Sequence, residues 1–225
     1  MTKQVFVTAT GTDIGKTYVS ALIVKAMREN GFNCGYYKPV LSGVKVENRI
    51  LIESDCNYVI EKSALNCNPN DCVGYWWEEA VSPHLASERA GQIINTNFLK
   101  QKLEHLKSQY DYLLIEGAGG ITCPLRLTNN EKYLLKDLIR EFDTQIIIIA
   151  DAGLGTINSA LLTVDYARNN NIKIAGIILN NYDKNNFMHK DNLKQVEYLT
   201  KIKVLATIEK NQTDLNYTNI KNCFV

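Results

Sequence analysis

Residues 11–17, with the sequence Gly-Thr-Asp-Ile-Gly-Lys-Thr, have the types and spacing of a phosphate-binding loop. Backbone N–H groups at the start of a helix hold phosphate oxygens, and the helix dipole adds positive potential there. Lys16 would meet the β- and γ-phosphates of a nucleotide, and the Thr17 hydroxyl would ligate Mg2+. The usual pattern has a glycine where this chain has Thr10. The alternative is a chance Gly-Lys-Thr at the start of a helix.

Three acidic residues are candidates for holding that metal. Glu116 directly follows a predicted strand and precedes the run Gly-Ala-Gly-Gly. The carboxyl ends of strands line the ligand crevice of open α/β sheets, and glycines let the backbone approach a ligand closely. Asp55, after Ser54, is a second candidate, although such an acid is alternatively a helix cap or a solvated side chain. Asp151 also follows a strand and competes for the same role.

Lys38 is a candidate for stabilising charge during phosphoryl transfer. It ends an apolar stretch and precedes Pro39 in the sequence Tyr-Lys-Pro-Val-Leu-Ser-Gly. A residue before proline favours an extended backbone. A second lysine near the phosphates could stabilise charge that develops in the transition state. The alternative is a surface lysine, and the residue taken alone favours that interpretation.

An alternating series of strands and helices must position these residues. Short apolar runs predict strands at 5–7, 112–115, 145–150 and 174–179, and helical spacing predicts helices at 16–28, 98–107, 133–142, 158–168 and 189–200. This alternation predicts an α/β fold in three layers, a mostly parallel central sheet with helices on both faces. We interpret the polar segment 45–97 as an elaboration of a single domain spanning 1–225, and residues 180–192 as a loop.

Composition excludes several classes of function. The chain has 225 residues, 25 Lys plus Arg, 24 Asp plus Glu and a formal charge of +1. This balance argues against a broad surface for nucleic acid or anionic lipid. The sequence contains no apolar run of roughly 18 residues and no signal-peptide core, so we expect a cytoplasmic protein that does not span a membrane.

The six cysteines form no Cys-x-x-Cys pair. Without an export signal, a disulfide framework is not expected, and we interpret the cysteines as free thiols. The alternative is a zinc site formed by Cys67, Cys72 and His84, but further ligands at metal-like spacing are missing.

Taken in order, the motifs resemble those of the dethiobiotin synthetase family. The matching pieces extend from residue 8 to about 181 and are 11–17, 37–40 with Ser42 and Gly43, Ser54 with Asp55, 82–84, 116–120, 154–158 and Asn180. Lys-Pro-Val-x-Ser-Gly together with Glu-Gly-Ala-Gly-Gly is more specific than the phosphate loop alone.

The resemblance implies a fold like that of P-loop NTPases and a homodimer. It also implies closure of a cyclic urea from 7,8-diaminopelargonate and CO2, with ATP and Mg2+, giving dethiobiotin, ADP and phosphate. In that reaction a substrate amine traps CO2 as a carbamate. ATP phosphorylates the carbamate, and the second amine attacks the resulting carbamic-phosphoric anhydride. The protein mainly supplies positioning and charge stabilisation.

The resemblance also implies roles for individual residues. The catalytic residues would be Lys38, Lys16 and Thr12. The nucleotide would be bound by Asp13, Ile14, Gly15, Lys16, Thr17, Tyr18, Asp55, Glu116, Gly117, Ala118, Gly119 and Asn180, with Asn180 at the adenine. The substrate would be bound by Ser42, Thr12, Lys38, Gly155, Thr156, Ile157 and Asn158, the last four across a dimer interface. The metal ligands would be Thr17, Asp55 and Glu116.

The chain departs from the family pattern at Gly153 and Ser159, where Lys and His are common, and at residues 208–210, where Ile-Pro is usual. His84 is given no catalytic role. An amidoligase is disfavoured because only about 45 residues follow Asn180, too few for a glutaminase domain of typical size. A partitioning ATPase is disfavoured because the loop lacks the extra lysine and the end of the chain lacks a basic amphipathic helix. A nucleotide-dependent kinase of another kind remains the alternative.

Overall fold

The computed structural model describes residues 2–128 and 131–225. Its strands are β1 Lys3–Ala9, β2 Cys34–Ser42, β3 Lys45–Glu47, β4 Ile50–Glu53, β5 Val73–Trp77, β6 Tyr112–Glu116, β7 Pro124–Leu127, β8 Lys132–Leu134, β9 Ile146–Asp151, β10 Ile174–Asn180 and β11 Val204–Thr207. Its α-helices are α1 Lys16–Glu29, α2 Asp55–Ser63, α3 Pro83–Arg89, α4 Thr96–Lys107, α5 Leu135–Glu141, α6 Thr156–Asn169, α7 Phe187–Thr200 and α8 Thr218–Lys221. A short 3-10 helix spans Pro69–Cys72.

Seven of the strands form one sheet in the order β11-β10-β9-β1-β6-β2-β5. All neighbouring strands in this sheet are parallel. Strands β3 with β4, and β7 with β8, form two separate antiparallel pairs. The chain therefore builds one half of the sheet on each side of β1, an arrangement that creates a ligand crevice at the carboxyl ends of the central strands.

Both faces of the sheet are covered. In β9, Ile146 and Ile148 pack into one hydrophobic core, whereas Ile147 and Ile149 pack into the other. Helices α1, α2 and α8 contribute buried residues to the second core, and α3 to α7 contribute to the first. This is the predicted three-layer α/β fold. It also explains why the strand sequence is continuously apolar, since successive side chains point to opposite, equally buried faces.

Several elements differ from the sequence prediction. Strands β2, β5 and β11 belong to the main sheet but were not predicted, and β5 lies inside the segment interpreted as an elaboration. Helix α5 begins at Leu135 rather than 133, because Tyr133 pairs with Arg126 in the β7–β8 hairpin. Helices α6 and α7 each begin two residues earlier than predicted, at Thr156 and Phe187.

Candidate active site

The carboxyl ends of the central strands border a cleft of about 470 Å³. Its lining comes from the loop after β1, the first turn of α1, the end of β2, the first residue of α2 and the loop after β6. The lining residues are Thr12, Asp13, Gly15, Lys16, Thr17, Lys38, Val40, Leu41, Ser42, Asp55, Ala118 and Gly119. A larger cavity of about 740 Å³ lies at the amino ends of the strands and contains none of the predicted site residues.

The predicted phosphate loop connects β1 to α1 and ends at Gly15. Gly15 has a φ of 90°, a conformation that glycine adopts without the strain that a side chain brings. A Cβ atom at Gly15 would also lie 2.2 Å from Nδ2 of Asn180. That amide donates a hydrogen bond of 2.9 Å to the carbonyl of Ile14. Asn180, at the end of β10, therefore braces the loop from a distant part of the sequence.

Lys16 is the first residue of α1 and is almost completely buried. Its Nζ donates to the carbonyl of Gly11 at 3.2 Å, so the side chain folds back over the loop. Burial and the nearby Lys38 ammonium lower the pKa of Lys16. An anion in the loop would relieve both effects, because it would add opposite charge beside the ammonium.

Glu116 is fully buried at the carboxyl end of β6, and its carboxylate accepts hydrogen bonds from three side chains. Oε1 accepts from Thr17 Oγ1 at 2.8 Å and from Lys38 Nζ at 2.6 Å. Oε2 accepts from the Tyr36 hydroxyl at 3.0 Å. Burying a carboxylate is unfavourable unless it is paired and hydrogen-bonded, and this arrangement provides both forms of compensation.

Tyr36 was not identified in the sequence analysis. The available signal was its place two residues before Lys38, because alternate residues of a strand share one face. Tyr36 is fully buried. Burial and the neighbouring Glu116 carboxylate raise the pKa of its hydroxyl well above the ordinary value. The hydroxyl therefore keeps its proton and acts as a donor.

Asp55 is the first residue of α2, and the preceding Ser54 caps the helix by accepting from the N–H of Asn57. The Asp55 carboxylate is thus free of the capping role considered above, and its Oδ2 lies 2.7 Å from Lys38 Nζ. Burial favours the protonated acid, but the Lys38 ammonium outweighs burial and holds the pKa of Asp55 below its usual value. The side chain is 34% exposed, so this carboxylate is the one that faces the cleft.

Lys38 therefore lies between two carboxylates. Burial disfavours its charge, but Glu116 and Asp55 outweigh burial and raise the pKa of Lys38. Its Nζ also donates to the carbonyl of Gly117 at 3.3 Å. The side chain is only 3% exposed, which excludes the surface-lysine interpretation.

The donor set suits a magnesium ion. Thr17, Asp55 and Glu116 offer one hydroxyl and two carboxylates, and Mg2+ prefers oxygen ligands that it supplements with phosphate and water. The described residues include no group of three His, Cys, Asp or Glu side chains able to hold a metal by themselves. A metal here would accordingly be completed by the nucleotide, as in other phosphate-loop sites.

The competing acid, Asp151, does not line the cleft. Its Oδ1 accepts from the N–H of Gly153 at 2.7 Å, and its Oδ2 accepts from Asn181 Nδ2 at 2.7 Å. Oδ1 thus braces the turn between β9 and α6, and Oδ2 connects it to the residue that follows β10. Asp151 is therefore held by Gly153 and Asn181 and does not contact Thr17.

The other predicted residues lie at different distances from the cleft. Ser42, Thr12, Asp13, Ala118 and Gly119 line it, whereas the side chain of Tyr18 donates to the carbonyl of Gln212 and lines a separate small pocket. None of the segment Gly155, Thr156, Ile157 and Asn158 lines the cleft within this one chain. Gly155 precedes α6, whose first residue, Thr156, is buried with no hydrogen-bond partner for its hydroxyl.

Cys67, Cys72 and His84 do not come together as a zinc site. Cys67 Sγ and Cys72 Sγ lie 3.1 Å apart, but the His84 ring contacts Ser82 instead. All six cysteines have free thiols in this structure. Across the residues that the structure describes, no helix combines the length and the apolar character needed to cross a membrane.

The fold and the loop define the class of this protein as a nucleotide-binding α/β protein of the P-loop NTPase type. Solved structures support the fold: the MinC:MinD cell division complex of Aquifex aeolicus has a TM-score of 0.57 at 15% identity, over 97% of this chain and 86% of that one. A plasmid partition protein of Borrelia burgdorferi has a TM-score of 0.58 at 18% identity, over 98% and 94% of the two chains. A family model described as "AAA domain" matches residues 3–216.

Sequence relatives specify the family. The chain is 44% identical over 224 residues to the ATP-dependent dethiobiotin synthetase BioD of Brachyspira hyodysenteriae, covering 100% of both chains. It is 45% identical over 204 residues to the protein of the same name from Clostridium botulinum strain Alaska E43, covering 91% of this chain and 89% of the relative. The chain belongs to the dethiobiotin synthetase family.

Proposed function

We propose that this chain uses ATP and Mg2+ to convert 7,8-diaminopelargonate and CO2 into dethiobiotin, ADP and phosphate. The observation that carries the proposal is the Lys38 ammonium between Glu116 and Asp55, beside Lys16 of the phosphate loop. Lys16, Lys38 and Asp55 line one cleft, and Glu116 is buried against Lys38. This combination matches a reaction in which an anionic carbamate attacks a triphosphate. Membership of the family and the matching motifs support the same assignment.

The chemistry requires the protein to bring two anions together. One substrate amine adds to CO2 and loses a proton, which gives a carbamate. A carbamate oxygen then forms a bond to the γ-phosphorus as the bond to ADP breaks. Finally the second amine attacks the carbonyl carbon of this anhydride, and phosphate leaves as the ring closes.

Lys16 and Lys38 supply the positive charge that allows the carbamate to approach the γ-phosphate. Lys16 would bind the phosphates from the loop, and Lys38, in the middle of β2, would face the carbamate. Thr12 and Ser42 line the same cleft and would hydrogen-bond the carbamate or the diamine. Pre-positioned charge of this kind is the largest contribution that proteins make to phosphoryl transfer.

Thr17, Asp55 and Glu116 would hold the metal. When bound, Mg2+ neutralises phosphate charge and orients the β- and γ-phosphates. The Thr17 hydroxyl donates to Glu116 Oε1 at 2.8 Å, and the Lys38 ammonium contacts both carboxylates. When the metal binds, the hydroxyl would therefore turn its proton away and the ammonium would move from the carboxylates toward the carbamate. Because ATP is the co-substrate, we propose that the protein works in the cytoplasm.

We also propose a homodimer in which α6 contributes to the interface. Leu154, just before α6, is 93% exposed, and Leu162 on α6 is 62% exposed. Phe187, 85% exposed, begins α7, which packs against α6. Exposed apolar side chains grouped on neighbouring elements are typical of protein interfaces. A partner's Gly155, Thr156, Ile157 and Asn158 would then bind the substrate carboxylate with the start of α6.

The single seven-stranded sheet supports the proposal that residues 1–225 form one synthetase domain.

The decisive experiment measures ATP hydrolysis and product formation together. We expect ADP release to depend jointly on Mg2+, on CO2 supplied as bicarbonate and on 7,8-diaminopelargonate, with dethiobiotin detected by mass spectrometry. Hydrolysis stimulated by unrelated acceptors, but not by the diamine, would instead indicate a kinase of another kind.

The dimer is tested by sedimentation or light scattering of Leu162→Asp. We expect this variant to be monomeric and to have a higher KM for the diamine. The matched control is Ile93→Asp, because Ile93 is also strongly exposed but precedes α4 and belongs to neither α6 nor α7. Equal masses for the two variants would remove α6 from the interface.

A further inference from the structure

The Tyr36 hydroxyl makes a contact that none of the roles above explains. It donates to Glu116 Oε2 at 3.0 Å, whereas Thr17 and Lys38 both donate to the other oxygen, Oε1. Oε1 is therefore directed toward Thr17 of the phosphate loop and toward Lys38, whereas Oε2 is held by Tyr36.

The register of the sheet explains how Tyr36 reaches Glu116. Tyr36 of β2 pairs with Leu114 of β6, two residues before Glu116. Residues two apart on a strand share a face, so Tyr36 and Lys38 lie on the same side of the sheet as Leu114 and Glu116. The phenol ring is long enough to extend along this face to the glutamate.

A glutamate side chain needs such a contact if it is to hold a metal in one geometry. Its terminal torsion is broad, so the carboxylate rotates freely unless hydrogen bonds fix it. Partners that orient a metal ligand commonly change metal affinity by about 10- to 100-fold when they are removed.

We propose that Tyr36 is a positioning residue for the divalent cation: its hydroxyl fixes Glu116 Oε2 and thereby directs Oε1 toward Thr17. The inference rests on the proposed function because it assigns the cation to Thr17, Asp55 and Glu116. It adds a residue that lies outside the lining of the cleft.

The test compares Tyr36→Phe with Tyr37→Phe. Tyr37 is the next residue of β2, is equally buried, and points to the opposite face, where its hydroxyl donates to the carbonyl of Leu99 at 3.1 Å. Each variant loses one buried hydrogen bond from the same strand, so both should lose a similar amount of stability. Only Tyr36→Phe should alter the cation site.

The principal readout is binding of Mn2+ in the presence of ADP, followed by electron paramagnetic resonance, which requires no turnover. We expect the Mn2+ Kd of Tyr36→Phe to rise by about tenfold or more, with that of Tyr37→Phe within about twofold of the wild type. In the coupled reaction, the Mg2+ concentration for half-maximal rate should rise while the KM for the diamine stays constant. Unchanged or tighter Mn2+ binding by Tyr36→Phe would overturn the proposal.

The two levels of the argument can fail separately. If wild-type protein binds Mn2+ and ADP but makes no dethiobiotin, the proposed function fails and the Tyr36 comparison still stands. If wild-type protein makes dethiobiotin and Tyr36→Phe retains normal Mn2+ affinity, only the positioning role fails.

A separate observation concerns Cys67 and Cys72, whose Sγ atoms lie 3.1 Å apart between α2 and β5. Cys72 is buried, whereas Cys67 is half-buried and accessible to a small oxidant. A hydrogen bond with Cys72 lowers the pKa of Cys67. The accessible thiol is therefore the more reactive of the pair, since thiolates are the reactive species.

We infer that Cys67 and Cys72 form a disulfide when a hydroperoxide oxidises Cys67. The Cys67 thiolate attacks the peroxide oxygen, which breaks the O–O bond and gives a sulfenic acid plus water or an alcohol. The Cys72 sulfur then attacks the Cys67 sulfur, the S–O bond breaks, and the hydroxyl leaves as water with the proton of the Cys72 thiol. Both electrons come from the two thiols.

Peptide mapping without reductant after hydrogen peroxide treatment tests this inference. We expect a Cys67–Cys72 bridge in the wild type, reversed by dithiothreitol. In Cys72→Ser we expect a sulfenic acid at Cys67 that dimedone traps. Wild-type protein whose Cys67 oxidises without bridging, or whose two thiols both stay free, would contradict the inference.

Discussion

The ion pairs of Lys38 make a quantitative prediction about the stability of the protein. Replacing Lys38 with Met keeps most of the side-chain length and removes the charge. The ammonium is buried and lies 2.6 Å from Glu116 and 2.7 Å from Asp55. The variant therefore leaves two neighbouring carboxylates without their cation, one of them fully buried.

The size of the effect follows from these burials. Removing one partner of a buried ion pair costs about 3–5 kcal/mol, because the other charge is left uncompensated. The Asp55 side chain is 34% exposed, and solvent screens that part of the interaction, so we take the lower end, about 3 kcal/mol. For a domain of this size, 1 kcal/mol shifts Tm by about 2–4 °C. We therefore expect Lys38→Met to lower Tm by about 6–12 °C.

The assay is thermal unfolding followed by circular dichroism at neutral pH, first with a chelator and then with added Mg2+. Because a divalent cation supplies positive charge to the same carboxylates, Mg2+ should raise the Tm of Lys38→Met more than that of the wild type. The matched control is Lys25→Met. Lys25 also lies near two carboxylates, those of Glu29 and Asp214, but these pairs are at the surface.

The control should melt close to the wild type, because exposed ion pairs are screened by solvent. The reasoning is refuted if Lys38→Met also melts within about 1–2 °C of the wild type. It is refuted as well if Mg2+ stabilises the two proteins equally.

Three further predictions follow from the same site. Lys38→Ala should lower turnover by at least about 100-fold while a fluorescent ATP analogue still binds, and undiminished turnover would remove Lys38 from the mechanism. Gly15→Ala should weaken binding of the same analogue by at least about tenfold, because the new Cβ would lie 2.2 Å from the amide of Asn180. The control Gly31→Ala should bind the analogue normally, because Gly31 also has a positive φ but its Cβ would meet nothing within 4 Å. The pKa of Asp55 is lower in the folded protein than in the unfolded chain, so the unfolded chain binds a proton at this carboxylate first as the pH falls, and the free energy of unfolding decreases. Urea titrations of metal-free protein between about pH 5 and pH 2 should therefore show a smaller loss of stability for Asp55→Asn than for the wild type.

The phosphate loop and four of the five interior strands of the main sheet, all except β2, were predictable because their signals are local. A strand, a glycine turn and an amphipathic helix follow one another between residues 3 and 29, and each requires only neighbouring residues to define it. The apolar run of β9 likewise indicated a strand buried on both faces. Glu116 could be placed because it follows such a strand directly.

Strands at the edges of the sheet were harder to recognise. β5 fully buries only Val73 and Trp77 and lies among polar residues, so its sequence lacks the apolar run that marks a central strand. Its place in the sheet depends on pairing with β2, a contact between segments separated by about 35 residues. Long-range pairing of this kind leaves no periodic signal in either segment.

The sequence by itself determined the fold class, the phosphate loop and the set of acids and lysines from which a site could be built. Only the tertiary structure decided which acid belongs to that site: Asp55 reaches Lys38 because α2 begins beside β2, whereas Asp151 is held by Gly153 and Asn181. It also revealed Tyr36, whose contact with Glu116 depends on the register between β2 and β6. The physical reason is that turns, helices and buried strands follow from interactions between near neighbours. The charge state and orientation of a buried carboxylate depend on whichever distant groups the folded chain places around it.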